Sequence, residues 1–244
     1  DLPKGILERF REKDGTVGKL VLVSPVFAPE LILDVRNQLR FIDEVRGVAD
    51  SVEPGAPAVG QLPLTVDVFR SIQHDGPRVT LLSFALVSLL VIVLFRRLSR
   101  IVLCLVSLVL GVTWLAGTAI ALDLKINFMN FIVLPITFGI GVDYGVNILQ
   151  RYWQDGRGTI LTTVRETGGA VALSSLTTII GYGSLLIAGN QGLVSFGRLA
   201  VLGEITCVAA ALLALPALLR MMEARARQAA VIPEREAPEE RRTA

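Results

Sequence analysis

Five stretches of the chain stay apolar over a length that suits a bilayer crossing, which takes about 20 residues in a helix. They cover residues 79–95, 101–122, 128–149, 170–188 and 194–219. The first, second and fourth are uncharged, the third contains Asp143, and the fifth contains Arg198 and Glu204. Five transmembrane helices with short connections are therefore expected over 77–220. Residues 1–76 mix polar and apolar positions without any run of spanning length and read as a water-exposed domain. Within it, 19–26 suits a strand closed by Pro25. Residues 29–45 place Leu31, Ile32, Val35, Leu39, Ile42 and Val45 near helical period, with Pro29 in the first turn. A second strand is expected over 56–59, confined to an edge by Pro57. Residues 62–73 suit a helix outside the membrane, which Gly76 and Pro77 break or kink before the first span. The fold class is thus mainly α: a polytopic α-helical membrane protein with five transmembrane helices and a small α+β segment of strand-helix-strand order. So small a unit buries a poor core alone and is expected to pack against something outside this chain.

Arginines orient the spans. Arg96, Arg97 and Arg100 lie after the first span, Arg151, Arg157 and Arg165 after the third, and Arg220, Arg225 and Arg227 after the fifth. On the other side, Asp123 and Lys125 cancel and 189–192 is uncharged. Excess Lys and Arg mark cytoplasmic connections, so residues 1–76 are expected outside and the carboxyl terminus inside. The tail, 221–244, is charged and proline-containing toward its end and reads as disordered. Between 151 and 169, Tyr152, Trp153, Ile160, Leu161 and Val164 alternate with charges, which suits a helix lying on the membrane surface as an elbow.

Composition agrees with a membrane protein: 52% of residues are hydrophobic and 19% charged, with a mean hydropathy of +0.59. A net charge of +2 gives no footing for nucleic-acid binding. Cys104 and Cys207 sit in apolar runs and read as small hydrophobes. His74, beside Asp75, Gly76 and Pro77, reads as a solvated turn residue. With one histidine and no Cys/His cluster, neither a metal site nor a cofactor is expected. No nucleophile–base pair is visible either, so the chain is not read as an enzyme. The first residues hold no signal-peptide core and no start methionine, and the chain is expected to be a piece of a longer protein.

Residues 139–145 (GIGVDYG) carry the candidate chemistry. A charged side chain at mid-membrane costs roughly 2.5–3.5 kcal/mol on insertion scales, and such residues face protein interiors or cavities and work there. On a helix, Asp143 shares a face with Gly139, Asn147 and Gln150. Gly141 and Gly145 form a four-residue pair that admits a close helix neighbour. In the next span Ser174, Thr177, Thr178, Gly181 and Ser184 recur at helical spacing; they either bond back to their own helix or meet the Asp143 face. A low-dielectric surrounding favours the neutral form of a carboxyl group, so a proton carried there changes how helices pack. Tyr144 is the adjacent hydroxyl, able to donate to a carboxylate or relay through water. Glu204 is the second acid, with Arg198 too far round the helix to pair with it. Pro135 and Pro216 read as packing features.

The long run from GIGVDYGVNILQRYW through ETGGAVALSSLTTIIGYGSLLIAGNQGLVSFGRLAVLGE to LPALL resembles the last spans of the resistance-nodulation-division (RND) superfamily. The similarity is strongest to the MMPL-type exporters, including hopanoid-transporter-like members, and covers about residues 80–220. The resemblance implies a bacterial inner-membrane protein of two similar halves, of which this is the carboxyl-terminal one, with residues 1–76 the end of its periplasmic porter-like domain. It implies proton-driven export of lipids or other hydrophobic molecules, with Asp143 and Tyr144 as proton relay, supported by Gly139, Gly141, Asn147, Ser174, Thr177 and Thr178. The expected partners are the lipid bilayer, a lipid or hydrophobic substrate and the missing amino-terminal half, with a homo-oligomer left open. The alternatives are an RND drug-efflux or protein-export relative, or a sterol-sensing-like scaffold that does not transport.

Overall fold

The computed structural model describes residues 21–23, 35–125, 127 and 129–235, by backbone alone beyond 228. Its contacts divide the chain into two units, residues 1–71 and 72–244.

In the first unit, helix α1 (Val35–Val52) is followed by a turn at Gly55, where φ is +82°. The Gly55 N–H donates to Asp50 Oδ1 at 2.9 Å. Helix α2 (Gln61–Leu94) then begins, and the boundary between units falls inside it. Arg46 forks onto the Asp67 carboxylate at 2.9 and 2.7 Å, and Arg70 pairs with Asp43, which fixes the register of α1 on the start of α2. Both pairs are open to solvent, which screens them, so they align the hairpin more than they hold it.

The α+β expectation is corrected here. Residues 56–59 form an irregular link, and among the described residues there is no strand. Pro57 lacks an N–H, and a strand without a neighbour leaves its hydrogen bonds unmade. Of the strand expected at 19–26, residues 21–23 are irregular and the rest lies outside the described residues, as do 29–34 of the expected helix. The break at Gly76 and Pro77 is also absent: α2 runs through Pro77, and His74 is an exposed helical residue, not part of a turn. Gly76 is buried, and a Cβ there would come 2.8 Å from Phe131 Cζ. The glycine therefore serves a close approach between α2 and a short 3-10 turn, Asn130–Ile132.

The second unit continues with α3 (Leu98–Ala121), α4 (Val133–Asp155), α5 (Ile160–Gly183) and a 3-10 turn at Ser184–Ile187. It ends with α6 (Gln191–Ala209), a π turn at Ala210–Ala214 and α7 (Leu215–Arg235). Five segments are long and apolar enough to cross a membrane: Gln61–Leu94, Leu98–Ala121, Asn130–Asp155, Ile160–Ile187 and Gln191–Gln228. The chain is a multi-pass membrane protein. The surface helix expected over 151–169 does not form as a separate element. Its first residues extend α4, and the remainder opens α5 after a turn in which Gly156 and Gly158 have φ of +93° and +89°. Pro216, at the second position of α7, follows the π turn, whose wider i→i+5 spacing accommodates the missing N–H.

Helix α6 is the centre of the bundle and packs on α3, α4 and α5. It buries Val194, Gly197, Leu199, Ala200, Gly203, Glu204, Thr206 and Cys207. Lipid is as apolar as leucine, so close van der Waals packing must bring these helices together, and small residues permit it. A Cβ on Gly111 of α3 would lie 3.0 Å from Cys207 Cα, and one on Gly141 of α4 would lie 2.9 Å from Cys207 Sγ and 3.0 Å from Leu108 Cδ1. Three helices thus meet around Cys207, which is the small buried hydrophobe its sequence setting indicates.

Each end of the bundle is tied by polar contacts. At one end the Tyr152 hydroxyl and the Gly158 N–H donate to Glu223 Oε1 of α7, at 2.5 and 2.8 Å, and the Arg100 guanidinium lies 4.7 Å from the Trp153 ring centroid. At the other end Asn127 and Asn130 both donate through Nδ2 to Ser195 Oγ of α6, at 2.8 and 2.9 Å.

The convergence at Cys207 sets an expected result. Gly141→Val overpacks a site with no free space and is expected to cost about 1–3 kcal/mol, read as a lower Tm of the full-length protein in detergent. Adding Cys207→Ala should recover part of that loss. An unchanged Tm for Gly141→Val would show that α4 does not lie this close to α6.

Candidate functional site

Consecutive residues on a helix with 3.6 residues per turn point about 100° apart, so Asp143 and Tyr144 face different surroundings. Asp143 is exposed and lines an open cavity of about 820 Å³ between α4 and α5. Asn147 and Gln150 of α4 and Thr167, Ser174 and Thr178 of α5 line the same cavity. Asp143, Asn147 and Gln150 thus share one cavity, which Ser174 and Thr178 also line and Thr177 and Ser184 do not. Gly139 is exposed, and a Cβ there would meet nothing within 4 Å.

Gly141 and Thr177 lie outside that cavity, and Tyr144 borders it while its hydroxyl turns inward. Gly141 turns away from the cavity into the helix contact at Cys207. Thr177 is exposed, its hydroxyl donating to the Ser174 carbonyl at 2.7 Å, and Thr178 donates to the same oxygen at 3.2 Å. These hydroxyls bond back along α5, as Ser184 does to Gly181 at 2.7 Å. Among the described residues none of them bonds to Asp143.

Tyr144 points into the bundle. It is 4% exposed, and its hydroxyl donates to Oε1 of Glu204, which is also 4% exposed. The small residues of α6 make this pair possible: a Cβ on Gly203 would lie 2.9 Å from Thr137 Oγ1 of α4, so the two backbones approach closely one residue away from the acid. Arg198 is exposed and is not the partner of Glu204. The pairing was within reach of the sequence through depth. Helices α4 and α6 run in the same direction, and at 1.5 Å per residue Tyr144 lies about 17 Å and Glu204 about 20 Å from their starts. Sequence reasoning set Arg198 aside and left Glu204 facing a cavity or a partner helix, without naming Tyr144. It also passed over Glu223 and the Asn127–Asn130–Ser195 knot. The fully buried Asn130 amide was the available signal there, because a buried amide at a span's end requires partners.

The cavity offers carboxylate, amide and hydroxyl groups at the depth of two spanning helices, with a buried phenol–carboxylate pair behind it. Such a set suits binding and passage of a proton or of water. Among the described residues no group of three His, Cys, Asp or Glu side chains is placed to hold a metal ion.

Comparison with known proteins places this arrangement. The chain is 28% identical over 90% of its length to the hopanoid transporter HpnN of Rhodopseudomonas palustris, covering 24% of that protein. It is 25% identical over 78% of its length to MJ1562 of Methanocaldococcus jannaschii, described as a membrane protein, covering 52% of it. It is 26% identical over 77% of its length to the apo-petrobactin exporter of Bacillus anthracis, covering 28% of it. The chain thus spans between about a quarter and a half of the length of these curated relatives. No solved structure matches it. The MMPL family pattern matches residues 36–242, nearly the whole length, including all five spanning segments and both faces of the 139–145 motif. The chain belongs to the MMPL family.

Proposed function

We propose that this chain is the carboxyl-terminal section of an RND-type transporter driven by the proton-motive force, exporting lipids or other hydrophobic molecules. The observation that carries the reading is the placement of Asp143: an acid on a spanning helix, open to a polar cavity between α4 and α5. In this reading Asp143 takes a proton from outside and releases it inside. The membrane potential contributes about 2.3 kcal/mol per charge per 100 mV to that movement. Tyr144 is the relay hydroxyl next to it. Neutralising and restoring the carboxylate alters the cost of the exposed α4 face, and helix packing shifts in response. The cavity face needs cover within the bilayer, and the amino-terminal half of the full-length protein is the proposed cover. One matched relative is named a hopanoid transporter and another an apo-petrobactin exporter, and both names support transport, the second in the outward direction. Drug efflux or protein export by the same proton cycle is the alternative for the cargo.

Asp143→Asn removes the titrating group while keeping shape and hydrogen bonding. In the full-length protein reconstituted in vesicles, it is expected to abolish cargo export driven by an imposed proton gradient while leaving expression and Tm near wild type. Export at the wild-type rate would overturn the proton role and favour a scaffold.

The orientation is tested separately. Alkaline phosphatase, active only after export, is expected to be inactive when fused in the 156–159 turn and active when fused at Asn190. The opposite pattern would invert the proposed sidedness, and with it the direction of proton entry.

A further inference from the structure

We propose that Glu204 is a second proton-holding group of the transport cycle, loaded and unloaded through the Tyr144 hydroxyl, so that Asp143, Tyr144 and Glu204 form a three-member unit. This rests on the reading that protons move along the Asp143 face of α4.

Glu204 lies within α6, the most enclosed helix of the bundle, and is 4% exposed. Among the described residues its hydrogen-bond partner is the Tyr144 hydroxyl, a single O–H donor. An ionised carboxylate offers about four lone-pair sites, so one phenol leaves most of its hydrogen-bonding capacity unmet. An isolated buried charge is costly, and a neutral donor offsets only part of that cost. The ionised form accepts the phenol O–H at Oε1; once that proton has passed to Oε1, the carboxyl O–H donates to Tyr144 Oη across the same contact. Both states therefore fit the same geometry, which is what a group that loads and unloads requires.

The surroundings isolate the pair. On α4 the titratable side chains near it are Asp143 and Tyr144. On α3 no charged residue occurs between 101 and 122, and the titratable side chain there is Cys104. On α6 itself the others are Arg198, which is exposed, and Cys207, which is buried. On α5 they are Arg165, Glu166 and Tyr182, toward its two ends. No cation among these is paired with Glu204, so a fixed ion pair does not hold it charged.

Tyr144 also belongs to the lining of the Asp143 cavity, which makes it the link between the open acid and the buried one. The step balances. A proton leaves the Asp143 carboxyl and is carried by water in the cavity to Tyr144 Oη. As that O–H bond forms, the original Tyr144 O–H breaks and its proton bonds to Glu204 Oε1. The phenol ends neutral, Asp143 ends ionised, Glu204 ends protonated, and one positive charge has moved from the cavity into the bundle.

A purely structural Tyr144–Glu204 bond would fasten α4 to α6 without titrating, and infrared difference spectra of the full-length protein in lipid separate the two cases. Stepping the pH across the range of transport is expected to give a protonated-carboxyl C=O band that is absent in Glu204→Gln and shifted in frequency in Tyr144→Phe, which removes only the hydroxyl. The pH profile of transport should lose one ionisation in Glu204→Gln. Absence of a Glu204 band over that range, or a Glu204→Gln pH profile superimposable on wild type, would overturn the inference. Should Glu204→Gln fail to fold, the Tyr144→Phe band shift decides alone: a spectrum identical to wild type overturns it. Asp143→Asn keeps the two proposals distinguishable. If that variant still transports while the Glu204 band titrates, the role given to Asp143 fails and Glu204 as proton holder stands. If Asp143→Asn is inactive and no Glu204 band appears, only the inference made here fails.

Discussion

In a bilayer, two helices gain little by hiding leucine side chains from lipid that is itself apolar, so association depends on how closely backbones can approach. Helix α6, extended by the π turn after it, meets that constraint with Gly197, Gly203, Cys207, Ala210 and Ala211, all buried. Its neighbours answer with Gly111 and Gly141, whose missing side chains leave room for Cys207. At Gly197 the approach reaches backbone, since a Cβ there would lie 2.9 Å from the Tyr182 carbonyl oxygen. Everything polar inside the bundle is built on this closeness. Glu204 reaches Tyr144 because Gly203, one residue earlier, lets α6 come up against Thr137.

The same constraint divides α4 into two working faces. Gly141, Tyr144, Gly145 and Ile148 are buried, joining the helix to α3 and α6. Gly139, Asp143, Asn147 and Gln150 are exposed, and three of them line the cavity shared with α5. The motif at 139–145 thus interleaves two helical stripes. One stripe is small and apolar and fixes where the helix sits; the other is polar and is the side on which charge can change. The glycines of the motif do not share a role: Gly139 faces open space, whereas Gly141 is a packing residue.

Much of the membrane-spanning architecture was legible because a bilayer imposes length and polarity on each segment more strictly than water does. All five spans coincide with helices, and Asp143 lies on the polar face that its spacing from Asn147 and Gln150 indicated. The errors fall where local rules compete with tertiary context. Gly76 and Pro77 read as a break or a kink, and the break does not form: α2 continues through Pro77, since a long helix whose Gly76 is packed on Phe131 tolerates the loss of one hydrogen bond. The strand expected at 56–59 depended on a partner strand that local sequence does not reveal. The elbow at 151–169 had the alternating pattern of a surface helix, but Tyr152 and Ile160 belong to the bundle core, Trp153 packs against it and the Gly158 N–H donates to Glu223. Tyr144 and Glu204, 60 residues apart, were each visible as unusual. Their bond was hidden because it depends on which helices are neighbours, and adjacency in sequence favoured Asp143 as the partner instead.

The two acids of the bundle occupy opposite environments for a physical reason. A carboxylate on an open polar face can exchange protons with water at little cost in structure, but its charge is screened there and moves little else. A carboxylate enclosed between helices exerts a strong field on its neighbours when it charges, but it has no direct access to water. Neither placement alone converts proton movement into helix movement. In the proposed cycle a phenol between them, bonded to the enclosed acid and belonging to the cavity of the open one, joins access to consequence. Tyr144 occupies that position because it follows Asp143 by one residue, so the roughly 100° between successive side chains directs one group to the cavity and the next to the core.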